Sequence, residues 1–177
     1  MTEASWSLRD VNDWDRPTFV SHLGFLFEQS PWIADAVWPH RPFATCDALH
    51  RALVQIVIGA EPATKVTLIR AHPDLVGRAA LAGTLTREST SEQLAAGLDP
   101  GRLAPDEVDQ FRRLNAEYQT RFGFPFVICA RDNTKDTILT AFTSRVTNDR
   151  STEIETALAE IANIAWYRLI NLVQCEP

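Results

Sequence analysis

The side chain in this sequence best suited to moving a proton is His72, in the run RAHPDLVGR. An imidazole with an unperturbed pKa of about 6.5 changes charge near neutral pH. Pro73 follows it, and a residue before proline is pushed out of the helical region, so the helical stretch PATKVTLIRAH must stop there. His72 is thereby held at a helix end beside a stiff turn, where an imidazole can face a cleft. Further on, Ser89, Glu92 and Gln93 form S-x-x-E-Q. This is a capping-box pattern, with Ser89 accepting from the Glu92 backbone. The same geometry would present free N–H groups to an anionic ligand, with a carboxylate and an amide beside them. The third candidate is Arg168, in IANIAWYRLINL. Ile154, Leu158, Ile161, Ala165 and Leu172 recur at helical spacing, and Arg168 falls within about 20° of Ile161 on that wheel. A guanidinium stays charged, so on a buried stripe it needs a carboxylate, carbonyls or an anionic ligand. Ile164 and Asn171, its neighbours along the helix, supply no strong partner, which leaves a stem snorkelling outward, a structural ion pair with another element, or a ligand.

Other chemistries lack their residues. His22, His40 and His50 have no partners at metal-ligand spacing and no H-E-x-x-H occurs, so no metal site is expected. G-x-S-x-G, the P-loop and G-x-G-x-x-G are likewise missing from the sequence, which removes the esterase elbow, the nucleotide cradle and the dinucleotide site.

The elements that must position these residues read as helical nearly throughout. Asp15-Arg16-Pro17 caps TFVSHLGFLFEQS, whose Phe19, Leu23, Leu26 and Phe27 share a face, and Ser30-Pro31 ends it. WIADAVW is a short helix, Thr45 caps CDALHRALVQIVIGA, and Gly59 closes it. A short helix is expected from about Ser89 to Leu98, a long one from Pro105 to Gly123, another over TKDTILTAFTSRVTN, and a last one opened by Thr152 and Glu155. FPFVICAR is the one strand-like run; alone it makes no sheet, and it reads as an extended buried connector. The expected architecture is all-α, a single compact irregular bundle of about eight helices in one domain over residues 1–177.

The 177 residues are 45% hydrophobic and 23% charged, with a net charge of −6. That balance argues against a nucleic-acid or anionic-membrane surface. The sequence contains no run of 18 apolar residues, and the N-terminus lacks the pattern of a secretory signal, so a cytoplasmic location is expected. Cys46, Cys129 and Cys175 are widely spaced and odd in number, and they read as reduced thiols.

Four motifs in fixed order, AHPDLVGR, ESTSEQLAAGLD, LNAEYQTRFGFPFVICAR and TEIETALAEIANIAWYRLINL, resemble the 2-oxo-4-hydroxy-4-carboxy-5-ureidoimidazoline (OHCU) decarboxylase family over residues 17–173. The resemblance implies a compact helical fold, a homodimer, and a small-molecule decarboxylase without metal or organic cofactor that completes the conversion of urate to (S)-allantoin. It places proton transfer on His72, substrate contact on Pro73, Ser89, Thr90, Ser91 and Gln93, and a catalytic carboxylate at Glu92. The backbone of Phe126, Val127, Ile128, Cys129 and Ala130 would line the pocket, and Arg168 would bind the anion in the same pocket as His72 and Glu92, which makes the substrate its expected partner. Val76 and Arg78 depart from the smaller or lysine residues of many relatives, which would alter the pocket rim. Two other classes fit the residues alone. One is a helical interaction module, favoured by five tryptophans and the run WPHRPF. The other is a hydrolase of a ureido or amide bond that uses His72 and Glu92 to activate water.

Overall fold

Prolines, caps and glycines divide the chain into ten α-helices among the described residues, 6–175 of the computed structural model. The described residues fall into two units by packing: those up to Ala71 together with those from Ala162, and His72–Ile161.

In the first unit the strand β1 (Trp6–Ser7) leads into α1 (Leu8–Asp13), where Ser7 and Asp10 form a reciprocal capping box. Helix α2 (Arg16–Leu23) is capped by Asp15, which accepts the Thr18 N–H at 2.9 Å, as the sequence predicts. The same pattern predicts helix through Ser30, and the structure corrects that: the chain leaves the helix at Gly24 and turns. A Cβ on Gly24 would meet the Val20 carbonyl at 2.6 Å and the Pro31 Cβ at 3.0 Å, so only glycine permits this close return. Phe19, Leu23, Leu26 and Phe27 are all buried, and the turns also carry Glu28 inward, to 5% exposure.

Next come α3 (Trp32–Val37), a 3-10 turn (Trp38–His40), α4 (Cys46–Gly59) and α5 (Pro62–Arg70). Thr45 caps α4, accepting from the Ala48 N–H at 3.0 Å. WPHRPF is built into the unit through Arg41, which stacks on Trp38 and donates to the Asn12 and Trp14 carbonyls.

In the second unit lie α6 (Arg78–Leu81), α7 (Arg87–Ala95), α8 (Pro105–Phe122), a 3-10 turn (Ala130–Asp132), α9 (Lys135–Arg145) and the start of α10 (Arg150–Leu172). Gly123 closes α8 at φ 78°, a left-handed position that glycine takes without a Cβ clash. Phe111, Tyr118 and Phe122 of α8 pack with Phe124, Phe126 and Phe142 as an aromatic core; Tyr118 meets Phe126 edge to face at 5.2 Å. The run after Gly123 forms no helix or strand until Ala130, in agreement with an extended buried connector.

Helix α10 begins a turn before the expected Thr152 and Glu155 box. Asp149 caps it, accepting the Thr152 N–H at 2.9 Å together with the Ser151 and Thr152 hydroxyls, and these bonds hold its carboxyl well below the usual carboxylate range. The buried face of α10 is also displaced from the expected stripe: Glu153, Ala157, Ile161, Ala165, Arg168 and Leu169 are buried. At its end, in the first unit, β2 (Val173–Gln174) pairs in parallel with β1, Trp6 opposite Val173, a short ladder the sequence pattern does not reveal.

The cysteines are the clearest correction. Cys46 and Cys175 form a disulfide across a separation of 129 residues, and only Cys129 is a free thiol. Spacing could not show this, because the helix start at Cys46 and Cys175, the residue after β2, meet only through the tertiary fold. Closing so long a loop stabilises a chain by about 2 to 5 kcal/mol. Denatured, unreduced protein should therefore expose one titratable thiol, and reduction should raise that to the full three cysteines while lowering the melting temperature. Three reactive thiols before reduction would show that the bond does not form.

Candidate active site

His72 opens a tight turn that follows α5. It is buried, at 7% exposure, and Pro73 beside it is half-buried. The turn closes where the Gly77 N–H donates to the Asp74 carbonyl at 3.3 Å; a Cβ on Gly77 would strike the Asp74 Cβ at 2.5 Å. Val76 sits at φ 51°, a strained position for a β-branched residue.

Side chains from two helices hold this shape. The Gln93 amide of α7 accepts the Val76 N–H at 3.0 Å and reaches the Asp74 carbonyl at 3.5 Å. From α8, Asn115 donates to the Leu75 carbonyl at 2.9 Å and Gln119 to the Asp74 carboxylate at 2.7 Å. Burial pushes the Asp74 carboxyl up, against the opposing pull of Gln119 and Arg78.

Helix α7 presents S-x-x-E-Q differently from a capping box. Its cap is Thr86, whose hydroxyl accepts the Ser89 N–H at 3.2 Å, so Ser89 lies inside the first turn. Ser89 and Gln93 are both buried, Glu92 is half-buried on the adjoining side, and Thr90 and Ser91 are exposed. Thr90 returns its hydroxyl to the Thr86 carbonyl at 2.8 Å. The expected box fails because a better cap stands three residues upstream, which turns Ser89 from a helix end into an inward-facing group.

Helix α7 lies against the 3-10 turn that ends the connector. Phe126, Val127, Ile128, Cys129 and Ala130 are all buried. Burial, aided by the charge of Asp132, pushes the Cys129 thiol up to about 12, so it stays protonated at neutral pH and is no nucleophile. The second unit thus brings together the His72 turn, the inner side of α7 and the connector. Among the described residues no three His, Cys, Asp or Glu side chains gather as a metal-holding group.

Arg168 belongs to the first unit, where it is 5% exposed. Its Nη1 donates to the Glu28 carboxylate at 3.1 Å and to the Phe25 carbonyl at 3.1 Å. The expectation that only substrate would pair with it is corrected: Glu28 comes from the turns after α2, which the sequence pattern reads as helix. Sequence reasoning also missed Asn115, Gln119, Arg145, Glu153 and Glu160. Three of these gave a signal of the kind that singled out Arg168, a polar residue on an apolar stripe: Asn115 between Phe111 and Phe122, Arg145 after Ile138 and Phe142, and Glu153 before Ala157 and Ile161.

The helical architecture matches the crystal structure of (S)-allantoin synthase, with a TM-score of 0.77 and 27% identity over 96% of this chain. The match covers 54% of that chain, so this protein spans about half its length. A family model for OHCU decarboxylase matches residues 12–170, and the chain belongs to that family. The 2-oxo-4-hydroxy-4-carboxy-5-ureidoimidazoline decarboxylase of Halalkalicoccus jeotgali is 39% identical, covering 94% of this chain and 91% of that protein. That of Haloferax volcanii is 40% identical, over 92% and 94%.

Glu28 and Arg168 form a buried ion pair, and breaking such a pair by removing one partner costs about 3 to 5 kcal/mol. Arg168→Met should be destabilised on that scale in chemical denaturation, and Glu28→Gln added to it should recover part of the loss. A single variant as stable as the parent would show that the pair carries no structural weight.

Proposed function

We propose that this protein decarboxylates 2-oxo-4-hydroxy-4-carboxy-5-ureidoimidazoline to (S)-allantoin, a step of urate breakdown. The observation that carries the reading is the convergence, within one unit of a chain from this family, of a buried histidine on a rigid turn, the polar inner side of α7, and the buried connector backbone.

The chemistry asks little of a cofactor. Loss of carbon dioxide leaves an electron pair on carbon, and the conjugated C=N of this substrate's ring can accept it, so neither pyridoxal nor thiamine is needed as a sink. The protein supplies orientation, proton transfer and exclusion of water. His72 transfers the proton to one face of the ring, which makes the product a single enantiomer. Glu92 orients the imidazole or bonds the ring and hydroxyl, while Pro73, Ser89, Gln93 and the connector fix the substrate. Arg168, besides bonding Glu28, binds an anionic or carbonyl oxygen. A tight grip on the departing carboxylate alone would stabilise the ground state, so its useful target is an oxygen that gains charge. A homodimer is part of the same reading, tested by native mass.

The decisive substitution is His72→Asn. Removing a general acid or base costs about 10² to 10⁴ in rate, so the variant should fold yet lose that much turnover on freshly generated substrate, with product ellipticity falling to that of racemic allantoin. Normal turnover would remove His72 from the mechanism, and release of ammonia or a cleaved fragment by the parent would mark a hydrolase instead. Glu92→Gln should lower kcat far more than it lowers the melting temperature. A variant with a lower melting temperature and intact activity would make Glu92 a structural residue only.

A further inference from the structure

The connector's backbone is held by side chains at both sides of Ile128. Arg145 donates from Nη1 to the Val127 carbonyl at 2.8 Å, and its guanidinium lies 4.4 Å from the Phe126 ring centroid. Arg145 is itself fixed by Glu153, a carboxylate with no exposed surface, through Nε at 2.8 Å and a second bond from Nη2. On the other side, the half-buried Glu160 accepts the Cys129 N–H at 2.8 Å, and Asn133 donates to the Cys129 carbonyl at 3.0 Å.

Peptide units are planar, so each of these bonds fixes two groups. The Val127 carbonyl shares its plane with the Ile128 N–H, and the two point in opposite directions. The Ile128 carbonyl shares its plane with the Cys129 N–H in the same way. Arg145 therefore aims the Ile128 N–H, and Glu160 aims the Ile128 carbonyl. Ile128 is 7% exposed, and neither of its backbone groups bonds another protein group among the described residues. Backbone groups of a buried residue that find no protein partner take one from water or a ligand.

We propose that Glu160, with Arg145 behind the neighbouring peptide, is a positioning residue that presents the Ile128 N–H and carbonyl as a paired donor and acceptor for an amide-like group of the ligand. The inference rests on the decarboxylase reading, whose substrate carries such N–H and C=O groups in its ring and ureido arm. Glu160 touches no reacting atom; it acts through the backbone of Cys129.

The test compares Glu160→Ala, Glu160→Asp and Glu160→Gln in the full-length protein. Glutamine keeps an acceptor for the Cys129 N–H, alanine removes it, and aspartate keeps the charge but withdraws it by about 1.5 Å. Loss of an interaction that only binds substrate raises KM and leaves kcat nearly unchanged. The alanine and aspartate variants should show KM raised about tenfold or more, with faster hydrogen exchange at the Cys129 amide, and glutamine should return both to within about twofold of the parent. Aspartate keeps the experiment decisive if alanine fails to fold. Faster exchange at Cys129 with parental KM would overturn the inference, because the bond would then be structural only. Parental exchange and parental KM in both variants would overturn it as well. An active parent with unaffected variants overturns this inference alone, whereas a parent with no turnover overturns the decarboxylase reading and this inference with it.

Discussion

A carboxylate with no exposed surface needs partners inside the protein, and Glu153 finds them in the second unit. Arg145 donates to one of its oxygens from two nitrogens, the Tyr118 hydroxyl donates to the same oxygen, and Asn148 donates to the other at 2.8 Å. Burial and this carboxylate hold the Tyr118 phenol well above its usual range, so it remains a donor across the physiological range. The cluster ties α8, α9 and α10 at one point. Truncating any member would strand a buried charge or an unmet acceptor. The network also reaches the candidate site, because the same guanidinium that meets Glu153 holds the Val127 carbonyl.

The His72 turn is organised on the same principle with neutral groups. Val76 is held in a conformation that β-branched residues avoid, and the amides of Gln93, Asn115 and Gln119 bond the turn. Strain of this kind persists only when surrounding bonds over-determine it. Two segments that would touch substrate are thus irregular backbone braced by side chains from regular helices. Helix α8 serves both: its Asn115 and Gln119 face the turn, and its Tyr118 meets the Glu153 cluster.

Much of this was legible in the sequence where the signal is local. Asp15, Thr45, Pro105 and Gly123 mark helix ends through bonds or backbone angles made within a few residues, and these stand where the pattern puts them. The connector was legible because a short apolar run with a proline and no helical period has few alternatives. Where two local signals compete, the pattern misleads. Ser89 with Glu92 and Thr152 with Glu155 both look like capping boxes, yet Thr86 and Asp149 bond the first-turn amides earlier. The Cys46–Cys175 bond, the pairing of β1 with β2 and the Arg168–Glu28 pair join residues far apart in sequence, and no local period encodes such meetings.

Polar residues on apolar stripes carry the information that links these cases. Arg168, Asn115, Arg145 and Glu153 all lie at buried helical positions, where a charged or amide group is costly unless paired. The pattern alone announces that a partner exists without saying which. For Arg168 its own helix offers nothing and the family resemblance points to a ligand, but helix periodicity surveys only one element, and Glu28 arrives from a turn that the pattern reads as helix. For Arg145 the partner Glu153 lies only eight residues ahead, beyond helical reach and across the break at Asp149. A buried polar position is therefore a reliable sign of tertiary organisation and a poor guide to whether the partner is protein or ligand. In the connector the charged side chains are satisfied by protein, and what they hold in place is the backbone on either side of Ile128.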